Sequence, residues 1–251
     1  AGFVTSLCAS YFCLGINNIA PAKLGEVAKG FYLRQKAGIP LSQGLGMIFW
    51  ERFFDLNALL AIGLLTVISL GKYEAMIPLG AFVGGVWCFL ILFRLYPKLA
   101  DFMLRLIPFA RLRNLAEDIL VHLQERISPR FLIILSLYSL VFWAINTLGF
   151  YVAIWNVGGL SLTWDQVLTV FVIGVLGFAV PSSPGGLGVM EAAMVLSLGL
   201  FGVAKAEALA VGLVLRFATY IPQTVAGLLI MSITGFSMKA VRQTSEEVET
   251  L

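Results

Sequence analysis

FLIILSLYSLVFWAINTLGFYVAIWNVGGLSLTW, residues 131 to 164, contains no Asp, Glu, Lys or Arg. A helix needs about 20 mostly apolar residues to cross the hydrocarbon core of a bilayer, and this stretch supplies more than enough. Charge-free runs recur at 56 to 71, 75 to 93 and 217 to 238. Hydrophobic residues make up 59% of the 251 positions and charged residues only 12%, with a mean hydropathy of +0.93. A soluble domain mixes apolar and charged residues far more evenly, so the expected class is an all-α polytopic membrane protein.

Working outward from that run, apolar stretches and breakers predict helices at about 3–17, 25–37, 43–70, 75–95, 131–155, 164–180, 189–202 and 206–234. Residues 98 to 128 differ. Leu112, Leu115, Ile119, Leu123 and Ile127 recur there at helical spacing among charged residues, as in an amphipathic helix lying on the membrane surface. Thr163 and Gln166 have the spacing of a capping box for the helix that follows. Of the 17 Lys and Arg, four fall between Lys23 and Lys36, seven between Arg94 and Arg130, and two, Lys239 and Arg242, near the C-terminus. Short cytoplasmic loops hold the excess of positive charge, which places these segments and the C-terminus inside. The segment carrying Trp155 and Trp164 then lies at the outer interface.

An internal repeat shapes the functional reading. PAKLGE at 21–26 and PGGLGV at 184–189 share Pro, Leu and Gly at an offset of 163 (187 − 24). Arg52-Phe53 and Arg216-Phe217 follow at 164, and Gly63, Leu64 and Leu65 then match Gly227, Leu228 and Leu229. The repeats therefore run over about 3–70 and 164–234 of a single domain spanning 1–251. By the charge map the first breaker loop enters from inside and the second from outside. Inverted repeats with two re-entrant helical hairpins are thus the expected architecture, and they point to a transporter with its site near the midplane. Irregular backbone at that depth survives only beside protein or a water-filled cavity. In PSSPGGLG, residues 181–188, Ser182, Ser183, Gly185, Gly186 and Gly188 stand before a helix start, where free N–H groups attract an anion. Tight helix packing through small residues is the competing explanation.

Charges within the spans supply the remaining candidates, because an ionisable side chain at the bilayer centre costs about 2.5–3.5 kcal/mol on insertion scales. Arg216 lies in GLVLRFATYIP, and its guanidinium can clamp a phosphate through two nitrogens. Arg52 lies between Glu51 and Asp55, either as a site residue or as part of an interfacial ion-pair cluster. Glu26 and Glu191 suit either a helix-start carboxylate or a headgroup and proton-coupling role. Lys23, Gly25 and Lys29 fit phosphate attraction at the cytoplasmic mouth, though ordinary positive-inside residues explain the lysines equally well. Cys8, Cys13, Cys88 and His122 show no metal-ligand spacing, so no metal and no cofactor is expected. A net charge of +3, confined to loops, argues against nucleic acid. No Walker loop or nucleophile elbow suggests an enzyme.

NIAPAKLGE at 18–26, ERFFD at 51–55 and PSSPGGLGVMEA at 181–192 resemble the lysylphosphatidylglycerol synthase transmembrane, or flippase-like, family of prokaryotic membrane proteins. The resemblance runs from Asn18 onward. It implies translocation of an anionic or aminoacylated phospholipid, or of a polyprenyl-phosphate-linked lipid, in a multi-pass plasma-membrane protein. It also implies further N-terminal helices before Ala1. Where the family often has Arg, this chain has Lys23 and Lys29, which keeps the charge but loses the fork geometry. In the multiple peptide resistance factors such a module accompanies an aminoacyl transferase domain, for which the tail after Lys239 is too short. Two alternatives stand beside translocation. One is a lipid-phosphate-binding membrane subunit of a glycosyl- or aminoacyl-transferase partner. The other is a scaffold, in which Arg216 should be paired rather than facing water; translocation predicts a polar cavity between the two loops. Membrane lipids are the expected partners, and oligomerisation is left open.

Overall fold

A computed structural model of the chain describes residues 2–20, 24–70, 77–105, 107–125, 128–156, 159–179 and 186–234. Among these residues the extended regular elements are all α-helices: α1 (Phe3–Ile19), α2 (Leu24–Ala37), α3 (Leu41–Leu70), α4 (Ile77–Leu95), α5 (Pro97–Arg105), α6 (Ala110–Glu125), α7 (Pro129–Asn156), α8 (Trp164–Ala179), α9 (Val189–Gly199) and α10 (Lys205–Thr234).

Local chemistry sets the ends of several. Glu26 in the first turn of α2 and Arg34 and Lys36 in its last turn oppose the helix dipole. Gly38 then adopts φ 65° and returns its N–H to the Arg34 carbonyl at 3.1 Å, a left-handed stop that suits glycine. Pro40 follows, and α3 begins at Leu41. At α8 the Thr163 N–H donates to Gln166 Oε1 at 3.0 Å, which is one arm of the expected box. The amphipathic segment was expected over about 98–128, with Pro97, Pro108 and Pro129 as punctuation. It forms two helices, α5 and α6, on either side of Pro108, whose ring removes a backbone donor and disfavours helical geometry in the residue before it. Leu123 and Ile119 of α6 pack into an aromatic-rich core with Trp50, Phe53 and Phe54 of α3.

Much of the exposed surface of the described helices is apolar. α7 buries only Ser139, Thr147 and Ile154, while Ile133, Leu137, Val141, Ile145 and Leu148 are exposed along it. A helix that buries Ser139 and Thr147 while exposing most of its large apolar side chains is suited to lipid. α7 and α10, of 28 and 30 residues, are long and apolar enough to span a membrane. α3 matches α10 in length, with Glu51, Arg52 and Asp55 near its middle.

Two sets of three helices have closely similar proportions. α1, α2 and α3 have 17, 14 and 30 residues, and α8, α9 and α10 have 16, 11 and 30. Within each set the first helix packs on the second and the second on the third. Across the sets α1 packs on α10 and α8 on α3, so each set lends its first helix to the other set's long helix. The α1–α10 crossing is close enough that a Cβ on Gly15 would lie 2.8 Å from Gly227 Cα. Glycine at both positions permits the backbones to meet.

Candidate functional site

Glu191 is the third residue of α9, and Arg216 is the twelfth of α10. The α9–α10 packing brings them together: Arg216 Nη1 donates to Glu191 Oε1 at 2.6 Å. The other carboxylate oxygen, Oε2, accepts the Gly188 N–H at 2.7 Å. An anion was expected at the start of this helix, and the carboxylate of Glu191 itself occupies that place. Gly188, at φ 88°, and Gly186, at φ 69°, take backbone conformations that side chains disfavour. Arg216 also reaches the Gly186 carbonyl at 3.4 Å and lies 5.5 Å from the Tyr220 ring centroid. Its side chain is only 4% exposed, so the charge is held almost wholly by protein.

The opening breaker segment reaches the same region through α1. Tyr220 donates its hydroxyl to the Asn18 carbonyl at 2.7 Å, and Asn18 Nδ2 donates to Thr224 Oγ1 at 2.9 Å. Asn18, Tyr220, Arg216 and Gly186 therefore form a connected path from the end of α1 to the loop before α9. One residue earlier, Asn17 Oδ1 accepts the Gly25 N–H at 2.8 Å and so satisfies a free donor at the start of α2. A Cβ on Gly25 would strike the Cys13 carbonyl and sit 2.6 Å from Asn17 Oδ1. Gly25 thus has a packing role, with its N–H already engaged.

In the first set of helices, Glu26 is the third residue of α2 and Arg52 the twelfth of α3. Arg52 Nε lies 3.0 Å from Glu26 Oε1, so the pairing of the second set recurs here at the same helical positions. The surroundings differ. Arg52 also reaches Asp55 Oδ2 at 3.2 Å, and its side chain is 50% exposed. Asp55 Oδ1 accepts from Trp143 Nε1 at 2.9 Å and Ser139 Oγ at 3.3 Å, which ties α3 to α7. Next to this cluster Lys29 Nζ donates to Glu51 Oε2 at 2.6 Å. Lys29 is buried and Glu51 is nearly half exposed. A cavity of about 250 Å³ lined by Ser6, Ser10, Lys29, Leu33, Met47 and Glu51 opens at this pair.

Of the sequence candidates, Gly25, Glu26, Lys29, Glu51, Arg52 and Asp55 thus gather where α2 meets α3, and Gly186, Gly188, Glu191 and Arg216 where α9 meets α10. Lys23, Ser182, Ser183 and Gly185 lie outside the described residues. The local ion pairs expected within ERFFD are only partly formed. Asp55 binds Arg52, whereas Glu51 turns to Lys29. The cavity at Lys29 and Glu51 flanks the first set of helices, and no residue from 186–188 lines it. Asn17, Asn18, Tyr220, Ser139 and Trp143 were not singled out as site residues, although Asn18 opens the NIAPAKLGE stretch. Apart from Asn17, which binds Gly25 eight residues on, their partners are far away in sequence, and nothing local marks them.

The family model described as the lysylphosphatidylglycerol synthase TM region matches residues 1–227. A UPF0104 membrane protein of Methanocaldococcus jannaschii is 29% identical over 210 residues, covering 82% of this chain and 88% of its own. A UPF0104 membrane protein of Methanothermobacter thermautotrophicus is 25% identical over 240 residues, covering 86% and 70%. No solved structure matches the chain.

Proposed function

The chain belongs to the lysylphosphatidylglycerol synthase transmembrane-region family, and from that premise we propose that it translocates a phosphate-bearing lipid across the membrane. In this reading α1–α3 and α8–α10 are inverted repeats, and α2 and α9 are re-entrant. An 11-residue helix such as α9 is only about 16 Å long, roughly half the hydrocarbon thickness, so it enters without crossing. The protein acts as a carrier rather than an enzyme, in a prokaryotic plasma membrane with its C-terminus inside.

The observation that carries the proposal is the unequal state of two equally placed ion pairs. Arg52–Glu26 is exposed and shares its charges with Asp55, whereas Arg216–Glu191 is sealed. Alternating access requires that one repeat be open while the other is closed. At the open pair a lipid phosphate displaces Glu26 and takes two hydrogen bonds from Arg52. Among the described residues, Glu26, Glu51 and Asp55 stand there with Lys29 and Arg52, three carboxylates with two cations. That balance favours a headgroup carrying an amine as well as a phosphate, as an aminoacylated phospholipid does.

The burial of Arg216 also favours a second reading. A paired, water-free arginine is what a lipid-binding subunit or scaffold for a transferase would hold permanently. The two readings differ in whether the pairs exchange states. Spin labels on α2 and α3, and in a separate sample on α9 and α10, would give the helix separations in nanodiscs before and after adding aminoacylated phospholipid. Translocation predicts changes of opposite sign in the two samples. Separations fixed in both would favour the scaffold.

A further inference from the structure

The two sets of helices differ at one more matched place. Lys29 is the sixth residue of α2 and Glu51 the eleventh of α3, and the same positions in α9 and α10 hold Met194 and Leu215. Met194 and Leu215 are buried in one apolar cluster. Lys29 and Glu51 instead form an ion pair at 2.6 Å, with side chains 9% and 45% exposed. Replacing a buried ion pair by apolar side chains is often neutral or stabilising, so the fold has no need of charge at this place. What the first set has in exchange is the cavity of about 250 Å³ that both residues line, with Ser6 and Ser10 of α1 beside them. An ammonium has several N–H donors, and a carboxylate accepts at both oxygens. One donor of Lys29 goes to Glu51 Oε2, and among the described residues no partner is found for its other donors or for Glu51 Oε1.

We infer that this cavity binds the hydroxyl-bearing part of a lipid headgroup, a glycerol or a sugar, whose hydroxyls accept from Lys29 and donate to Glu51. The chemistry of the pair restricts the occupant. A hydroxyl is both donor and acceptor and carries no charge, so it can meet both residues of a neutral pair at once. A phosphate here would face the Glu51 carboxylate without bringing a donor, and an ammonium would face Lys29 without bringing an acceptor. Ser10 already donates its hydroxyl to the Ser6 carbonyl at 3.1 Å, which leaves its oxygen to accept from the ligand. The volume lies just below the roughly 300–1,000 Å³ usual for ligand sites, which suits one headgroup and excludes the chains of a whole lipid. Position supports the same occupant. Lys29 lies one helical turn from Glu26, and Glu51 adjoins Arg52 in the chain, so a lipid whose phosphate is held by Arg52 can place its headgroup here. That last step rests on the translocation reading of Arg52; the recognition of hydroxyls by Lys29 and Glu51 does not.

The test is native mass spectrometry of the purified protein in detergent with dioleoylphosphatidylglycerol, dioleoylphosphatidylinositol and dioleoylphosphatidylethanol. These lipids share their charge and their chains, and the last has no headgroup hydroxyl. Wild-type protein should bind the better of the first two at least about fivefold more tightly than phosphatidylethanol, the scale of one net hydrogen bond. Which of the two is preferred separates a glycerol from a sugar. The second set of helices supplies the variant: Lys29→Met together with Glu51→Leu puts its apolar pair in place of the charged one. That double variant should bind all three lipids alike, with its thermal unfolding midpoint unchanged or raised. Equal binding of the three lipids by the wild type, or a preference that survives in the double variant, would overturn the inference. So would a midpoint lowered by several degrees, which would show that the pair is held for the fold. Headgroup preference in a protein that moves no lipid between leaflets leaves the subsite standing and removes the translocation reading; lipid movement without the preference does the reverse.

Discussion

Arg52 and Arg216 occupy the twelfth position of two 30-residue helices, and each binds a glutamate at the third position of the helix before it. Their environments are opposite. Arg216 is enclosed and bound to Glu191, whose carboxylate also caps α9. Arg52 lies in the open among several acids, one of which is tied to α7 through Trp143 and Ser139. The comparison separates two uses of one device. A buried pair is indispensable, because removing either charge strands the other in a medium that cannot solvate it. An exposed pair in a charged cluster is replaceable, so it can yield to a ligand with little loss of stability.

The largest consequence concerns the closed side. Arg216→Ala should lower stability by about 3–5 kcal/mol, read from unfolding in detergent, since Glu191 is left buried without its partner. A loss under about 1 kcal/mol would mean that Glu191 already reaches water, and the contrast between the halves would collapse. Next in size is the link to α7. Asp55→Ala should cost about 1–3 kcal/mol by leaving the Trp143 indole donor unpaired, and Trp143→Phe added to that variant should cost little more. Additive losses would show that the two side chains act separately. The smallest effect on stability is expected at the open pair. Arg52→Ala should change stability by no more than about 1 kcal/mol while removing lipid movement. Unchanged lipid movement in that variant would take Arg52 out of the path.

The helices were legible because the charge-free runs are long and the breakers strong. The predicted 3–17, 25–37 and 206–234 correspond to Phe3–Ile19, Leu24–Ala37 and Lys205–Thr234. In the segment over 98–128 the sequence marks Pro108 as a breaker, and it stands between α5 and α6. The paired arginines were visible as charges in apolar sequence. Their partners were harder to read, since Glu26–Arg52 and Glu191–Arg216 join successive helices and depend on how those helices cross. The path through Asn18 and Tyr220 bridges α1 and α10, and the Asp55–Trp143 bond bridges α3 and α7. Neither leaves a periodic trace.

The measurement that bears most directly on translocation is the movement of short-chain fluorescent phospholipids between leaflets of liposomes containing the purified protein, compared with empty liposomes and with the folded Arg52→Ala variant. The account predicts headgroup-dependent movement with the wild-type protein and loss of that movement in the variant. Wild-type liposomes that behave like empty ones for every phospholipid, the aminoacylated ones included, would contradict it.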